Sequence, residues 1–122
     1  MSIAAAQSSV FYEQVAREGR VFTVLDADEF LVFRIGDHEV VPFWSSRSRI
    51  ETVQKRSPKY LAWKIEELPL AGFLEKTLAL LQEENVRVGV NWAGDRLVGY
   101  DVPVAELRKT LEYWQKKVRD EG

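Results

Sequence analysis

The stretch from residue 20 to residue 44 constrains the fold more than any other part of the chain. Its runs are rich in Val, Phe, Leu and Ile, and two short turn-forming segments interrupt them, Asp26-Ala27-Asp28 and Gly36-Asp37. Apolar runs separated by such turns are typical of antiparallel hairpins. The pattern predicts three strands in a meander, over residues 20–25, 29–35 and 38–43.

Helical periodicity, with apolar residues recurring every three or four positions, surrounds this β-rich stretch. Gly19 ends the first helix. Ser57-Pro58 ends the second helix, because the residue before a proline avoids helical angles. Pro103 suits the first turn of the last helix. The predicted helices span residues 3–18, 46–56 and 70–84, and the segment from Pro103 onward.

Three further strands are predicted in the second half of the chain. The segment "LAWKIEEL", residues 61–68, alternates apolar and polar residues, which is the period of a strand. The runs "VRVGVNW" and "RLVGYDV" flank the short loop Ala93-Gly94-Asp95 and indicate a hairpin. Gly89, inside the first run, indicates a bulge or a close approach to the backbone. Packing of a helix against the strand would explain such an approach without a ligand. The order α-β-β-β-α-β-α-β-β-α favours a single α+β domain over residues 1–122, with a mostly antiparallel sheet.

The composition suits one globular domain and excludes several kinds of site. The chain has 122 residues, no cysteine and one histidine, His38. Disulfides, thiolate chemistry and metal sites of several histidines are excluded by count, and no phosphate loop or serine-nucleophile motif occurs. The acidic turn "DADEF" begins like a calcium loop, but Phe30 and Leu31 stand where a ligand and a glycine are required. We predict no metal, no cofactor and no catalytic residue, with His38 as an exposed hairpin residue.

The charge is distributed unevenly along the chain. The N-terminal sequence lacks the basic and apolar regions of a signal peptide, and no apolar run approaches the ~18 residues of a membrane span, so we expect a cytoplasmic protein with no membrane contact. The net charge of −2 speaks against general nucleic-acid binding. Residues 45–64, however, hold six basic residues and one acidic residue, while the rest of the chain holds 11 basic and 18 acidic.

The segment that opens this basic window is the strongest candidate site. Arginine carries forked donors suited to carboxylate or phosphate, and a helix N-terminus adds unpaired N–H groups. The helix begins either at Ser46 or at Ser48, whose spacing to Glu51 matches a capping box. In the alternative interpretation, a serine caps the helix while the arginines extend into water or pair with a carboxylate of the chain. The candidate anion- or partner-binding residues are Trp44, Ser45, Ser46, Arg47, Ser48, Arg49 and Arg56.

The four tryptophans divide into two pairs. Trp63 and Trp114 lie on the apolar phases of a strand and a helix and are predicted to be core residues. Trp44 and Trp92 fall at predicted strand ends, where an indole either closes one end of the core or lines a pocket. The candidate pocket residues are Asn91, Trp92 and Tyr100.

Three functions are compatible with these observations. The leading hypothesis is a non-catalytic binding or regulatory module that docks an acidic protein or a small anion through residues 44–64. One alternative is a small enzyme or small-molecule-binding protein with a pocket near Trp44 and Trp92. Another is nucleic-acid binding, because aromatic residues interleave with the basic ones. A homodimer through a strand edge near Pro42 is compatible with all three, since proline removes a ladder donor and favours an edge, a bulge or a strand end.

Taken as a set, several segments of the chain resemble a known family. A helix with "FYEQVAREGRVF" leads into the first strand, a hairpin runs to "VVPFW" and a turn into a helix, and "LPLAGFLEKTLALLQEENVRVGV" and "VPVAELRKTLEYW" follow. Over residues 10–118 this set is similar to small bacterial proteins known as domain of unknown function 2750. The resemblance implies a single α+β domain and supplies no activity, cofactor or catalytic residue. The serines and arginines after Trp44 depart from that family, so a site built on Arg47 and Arg49 would be particular to this branch.

Overall fold

The computed structural model describes the backbone of residues 3–94 and 96–122 and the side chains of residues 7–94 and 96–122. Asp95, predicted in a hairpin loop, lies outside the described residues. Within them, the helices and strands follow the predicted order, with one additional short strand. The elements are α1 (Ile3–Glu18), β1 (Arg20–Asp26), β2 (Glu29–Phe30), β3 (Phe33–Ile35), β4 (His38–Phe43), α2 (Arg47–Arg56), a 3-10 turn (Pro58–Tyr60), β5 (Lys64–Pro69), α3 (Leu70–Gly72), a π-helical segment (Phe73–Thr77), α4 (Leu78–Glu83), β6 (Arg87–Ala93), β7 (Val98–Val102) and α5 (Val104–Glu121).

The strands form two sheets rather than one. In the first sheet the order is β2-β1-β5, and both pairs are antiparallel. In the second the order is β3-β4-β6-β7, and the β4–β6 pair is parallel. A parallel pair needs a long crossover connection, which here contains α2, β5, α3 and α4. The predicted α+β class with mostly antiparallel strands is confirmed.

The predicted meander is wrong at its middle strand. Residues 29–35 form two short strands that belong to different sheets, with β2 paired to β1 and β3 paired to β4. The β1–β2 turn places Ala27 and Asp28 in the left-handed region, at φ 52° and 66°, which matches the twist of a two-residue hairpin. The sheets meet where Phe22 and Trp44 exchange main-chain hydrogen bonds of 2.8 and 2.7 Å. The chain therefore changes sheets between β2 and β3.

Pro42 lies near the end of β4, in agreement with one of its three predicted placements. It pairs with Gly89 of β6, and its carbonyl oxygen accepts a hydrogen bond from the Thr23 hydroxyl at 2.8 Å. β3 pairs only with residues 38–40 of β4, but Pro42 is itself buried and its carbonyl oxygen is bonded to Thr23, so the chain at Pro42 is not an exposed edge of the sheet. A homodimer stays a prediction.

Two hydrophobic clusters fill the interior. The larger one packs α1, α4 and α5 against β4 and β6, and it includes Tyr12, whose burial, together with the negative charge of Glu106, raises the pKa of its hydroxyl to about 12. The smaller cluster surrounds Trp44 and Trp92 beneath α2. Trp63 and Trp114, predicted to be core residues, pack against these clusters but stay partly exposed at their margins.

The predicted helix over residues 70–84 forms as three consecutive segments, α3, the π-helical segment and α4. A π-helical turn accommodates one extra residue and disturbs the regular hydrogen-bond ladder. The Leu74 carbonyl oxygen in this turn accepts a hydrogen bond from Arg108 Nη1 of α5 at 2.9 Å. The irregular turn is thus tied to the last helix.

The two long helices at the chain ends pack against each other. Arg17 of α1 bonds Glu121 of α5 at 2.7 Å and Glu13 of its own helix at 3.0 Å. These ion pairs are exposed and contribute little to stability. Among the helices of the described chain, none is both long enough and apolar enough to cross a membrane.

Candidate functional site

Strand β4 runs into α2 through two serines. Ser46 is the N-cap of α2, with extended backbone angles of φ −152° and ψ 152°, so the alternative start at Ser46 is confirmed and the capping box at Ser48 is wrong. The Ser46 side chain makes no capping bond, and its hydroxyl lies 3.2 Å from that of Ser48. Arg47 and Arg49 both lie in the first turn, where each positive charge costs about 0.3–1 kcal/mol at most.

Behind this turn a buried group of polar side chains joins β4, β6 and α1. We call Gln14, Ser45 and Asn91 the polar junction. The Asn91 side-chain oxygen accepts from the Ser45 amide at 2.9 Å, and its nitrogen donates to the Ser45 hydroxyl and to the Gln7 carbonyl oxygen, both at 3.1 Å. The Ser45 hydroxyl donates to Gln14 Oε1 at 2.6 Å. Ser45 and Asn91 are 0% and 1% exposed, so both are committed to internal bonds.

A bulge in β6 positions the indole of Trp92. Asn91 and Trp92 together face Gly99 of β7, and Asn91 adopts a left-handed φ of 48°. The indole lies so close to β6 and β7 that a Cβ on Gly89 or Gly99 would come within 2.5 Å of it. The close approach predicted at Gly89 is therefore confirmed, but the approaching group is an indole of the same strand rather than a helix.

The two tryptophans at the strand ends are buried and linked. Trp44 Nε1 donates to the Trp92 carbonyl oxygen at 2.7 Å, and Trp92 Nε1 donates to the Tyr100 carbonyl oxygen at 2.9 Å. Trp44 is a member of the smaller cluster, whereas Trp92 also borders the groove described next. Tyr100, on β7, leaves 45% of its surface exposed.

A groove of about 540 Å³ opens between α2 and the β6–β7 hairpin; we call it the α2 groove. Its helical wall follows the spacing i, i+3, i+4 and i+7, which keeps four side chains on one face of a helix. Its hairpin wall is mostly apolar and includes the Trp92 indole. The described residues that line it are Gln7, Arg49, Thr52, Val53, Arg56, Trp92, Ala93, Gly94 and Val98.

The two arginines of the α2 groove are electrostatically unsatisfied. Arg49 is half-buried and Arg56 is exposed. Within residues 7–94 and 96–122, neither of them has an ion-pair partner. The same is true of Arg47. The expected alternative, an internal carboxylate paired with Arg47 or Arg49, is therefore not found in the described part of the chain. The α2 groove combines two free guanidinium groups with an apolar wall.

The predicted site residues do not lie together. Of the seven candidates around the start of α2, only Arg49 and Arg56 line the groove. Arg47 and Ser48 lie on other faces of the helix, because successive helical residues point about 100° apart. The remaining candidates, Trp44, Ser45 and Ser46, precede the helix. Of the three pocket candidates, Trp92 borders the same groove. Thr52 and Val53 were not predicted as site residues, although their i+3 and i+4 spacing from Arg49 indicates that they share its helix face. No local sequence pattern predicted the hairpin wall, because only the fold brings the β6–β7 hairpin next to α2.

A second hollow, of about 400 Å³, lies beside β1, β2 and β5 and has the opposite charge. Three carboxylates surround an apolar floor there, so it disfavours anions. Its lining residues are Leu25, Asp28, Glu29, Phe30, Glu66 and Leu68. No group of three or more His, Asp or Glu side chains within the described residues could hold a metal ion, and His38 is exposed at the start of β4.

Comparison with known families matches residues 8–111 to a family described as "Protein of unknown function (DUF2750)". The match includes α2, β6 and β7, and so both walls of the α2 groove. A comparison with curated proteins finds no match to the chain. The resemblance noted in the sequence is confirmed, and the chain belongs to the family of proteins of unknown function DUF2750.

Proposed function

We propose that this protein is a non-catalytic binding module that captures an anion in the α2 groove. The carrying observation is the pair Arg49 and Arg56, which face the groove from one side of α2 and have no ion-pair partner in the chain as described. Guanidinium groups bind carboxylate or phosphate through two parallel hydrogen bonds. A bound anion would neutralise charge that the protein itself leaves uncompensated.

The apolar wall favours a ligand that has an apolar body as well as a charge. Ala93 and Val98 line the groove with surface still open to solvent, Val98 being 63% exposed, and covering them would remove apolar surface from water at about 25 cal/mol per Å². Val53 and Trp92 also line the groove but are already buried. A partly enclosed site also strengthens ion pairing, because the effective dielectric constant is lower than in water. An inorganic ion would use only the arginines, so we expect it to bind more weakly than an organic anion.

The lining residues favour capture over a chemical reaction. Arginine stays protonated at all ordinary pH values and cannot serve as a general base. The Thr52 hydroxyl already donates to the Ser48 carbonyl oxygen at 2.9 Å. The groups that the groove offers therefore hold charge and apolar surface, which is what a binding module requires.

A second candidate is docking of an acidic protein on the exposed cations of α2, the 3-10 turn and the start of β5. Arg47, Lys55, Lys59 and Lys64 are exposed, and none of them has an ion-pair partner within the described residues. Such a partner would depend on these outer cations, whereas a small anion depends on Arg49 and Arg56. The two candidates therefore predict different sensitive residues.

The decisive experiment measures thermal stabilisation and calorimetric affinity for four probes with alkyl chains of five or six carbons: hexanoate, hexyl phosphate, hexanamide and hexylammonium. A ligand at ten times its Kd stabilises the folded state by about 1.4 kcal/mol, which raises Tm by several degrees. We expect stabilisation by the two anions, weaker effects from the amide, and none from the cation.

Two double variants serve as test and matched control. Arg49→Gln with Arg56→Gln should abolish stabilisation by both anions, while Arg47→Gln with Lys55→Gln removes the same charge from the same helix outside the groove and should leave it intact. Equal stabilisation by hexanoate and hexanamide would refute the proposal. Equal loss of binding in both double variants would favour docking on the exposed cations instead.

A further inference from the structure

We infer that the ligand of the α2 groove is a linear molecule with an acidic group at each end and an apolar chain between them. This inference rests on the proposed function and adds the shape of the ligand to it. It comes from the order of side chains along the helical wall of the groove: Arg49, then Thr52 and Val53, then Arg56.

The spacing of the two cations is set by the helix. Arg49 and Arg56 are seven residues apart, which is close to two turns, so both fall on the same face of α2. At a rise of 1.5 Å per residue, their Cα atoms are separated by about 10 Å along the axis. One small anion cannot satisfy both guanidinium groups while they extend straight from the helix, but two anionic groups at that distance can.

The surface between the arginines suits a hydrocarbon chain. On α2 the intervening groove residues are Thr52, whose hydroxyl is bonded to the Ser48 carbonyl oxygen, and Val53, which is 2% exposed. Across the groove lie Ala93 and Val98 beside the indole of Trp92. The Trp92 N–H is also committed, to the Tyr100 carbonyl oxygen. Apart from Gln7 and the arginines, the side chains that line the groove therefore offer apolar surface, chiefly that of Val98, which is 63% exposed, rather than free hydrogen-bonding groups.

This middle section disfavours a peptide and favours a free diacid. A peptide backbone carries a donor and an acceptor at each residue, and these are costly to cover without partners. An extended hydrocarbon chain has no such groups and advances about 1.2 Å per bond. A separation of about 10 Å thus corresponds to roughly eight bonds, which predicts a dicarboxylate of about nine or ten carbons. The groove volume of about 540 Å³ lies within the range of small-molecule sites.

The test is a calorimetric titration of the full-length protein with α,ω-dicarboxylates of increasing length and with monocarboxylates of the same lengths. We expect diacid affinity to peak near ten carbons, where the diacid should bind about tenfold more tightly than the matched monoacid because a second charge-assisted contact forms. A blocked Glu-Val-Glu peptide serves as the peptide arm. Tighter binding of that peptide than of every diacid would overturn the inference.

Single variants identify the two ends of the ligand. Arg49→Gln and Arg56→Gln should each reduce diacid affinity to the level of the monoacid, while Arg47→Gln should leave the preference unchanged. If diacids and monoacids bind equally, and both lose binding only when both arginines are replaced, the inference fails while the proposed function stands. If no acid of either series binds, the proposed function fails as well.

Discussion

The polar junction and the α2 groove are neighbours that treat their polar side chains in opposite ways. In the junction, Asn91 and Ser45 are buried and bonded to each other. In the groove, Arg49 and Arg56 reach toward solvent without an ion-pair partner within the described residues. Buried polar groups are retained when their bonds are made internally, so the junction supports structure, while the unpaired arginines are free to bind.

Gln7 connects the two regions, and this makes the contrast sharper. The main-chain oxygen of Gln7 accepts the Asn91 side-chain N–H at 3.1 Å, while Gln7 is also one of the residues that line the groove. The junction therefore fixes part of the rim against which a ligand would rest. Changes in the junction should cost stability, and changes in the groove should cost affinity.

The largest expected effect follows from Asn91→Leu, which removes the junction. The Ser45 amide would lose its partner in a buried site and the Ser45 hydroxyl would keep only its bond to Gln14, so we expect the free energy of unfolding in urea to fall by about 3 kcal/mol. Asn85→Leu is the matched control, because Asn85 also has a left-handed φ, 57°, but is exposed. It should cost only about 1 kcal/mol. Equal losses in the two variants would mean that backbone conformation, not hydrogen bonding, explains the role of Asn91.

A slightly smaller loss of stability is expected from Gly89→Ala, which acts on the Trp92 indole at the hairpin wall of the groove. The new Cβ would lie 2.5 Å from the Trp92 indole, and the forced shift should lower the free energy of unfolding by about 2 kcal/mol. It should also weaken anion binding, since Trp92 borders the groove. Gly72→Ala, where the nearest atom is 3.7 Å away, is the control and should be neutral or stabilising. Unaltered stability of Gly89→Ala would show that the indole can move freely.

Alkaline pH should weaken the buried interior through the hydroxyl of Tyr12. Burial, together with Glu106, raises the pKa of Tyr12 to about 12 from an ordinary value of 10.0. Between these values the unfolded chain has released this proton and the folded chain still holds it, so stability falls as pH rises. By pH 11 the loss should be about 1 kcal/mol in urea titrations. Tyr12→Phe should remove this part of the pH dependence, while Tyr113→Phe, at an exposed position, should not.

The smallest effect on stability is expected from replacing the two groove arginines, although this replacement should have the largest effect on binding. Replacing Arg49 and Arg56 with glutamine should change the free energy of unfolding by no more than about 0.5 kcal/mol, because neither side chain has an internal ion pair to lose. Relief of charge in the first turn of α2 could even raise Tm slightly. A loss above about 2 kcal/mol would erase the distinction between the two regions and assign the arginines a structural role.

Local patterns in the sequence predicted most elements but not how distant elements meet. Gly19 and Pro103 mark helix boundaries close to those observed, since both act through local backbone angles. The division of residues 29–35 between two sheets depends on which strand each half pairs with, and no local pattern contains that choice. The parallel pairing of Pro42 with Gly89 joins residues far apart in the chain, and it likewise could not be inferred.

The candidate site was predicted only in part, because local patterns show which residues are present but not which of them meet in the fold. Arg49 and Arg56 were recognised because forked donors in a basic window are visible in the sequence. Ser45 and Asn91 were named as binding residues, although each is the other's hydrogen-bond partner across β4 and β6. Their spatial pairing, and the hairpin wall opposite α2, follow from packing rather than from neighbouring residues.

The single bridge between Phe22 and Trp44 has a consequence for motion. It is the place where β1 and β4 exchange main-chain hydrogen bonds, and so it is a seam along which the two sheets could part while each remains intact. Local openings of this kind expose amide protons to exchange at a cost below that of global unfolding. The Phe22 and Trp44 amides should therefore exchange with deuterium together, and their common protection would measure how firmly the two halves of the molecule are closed.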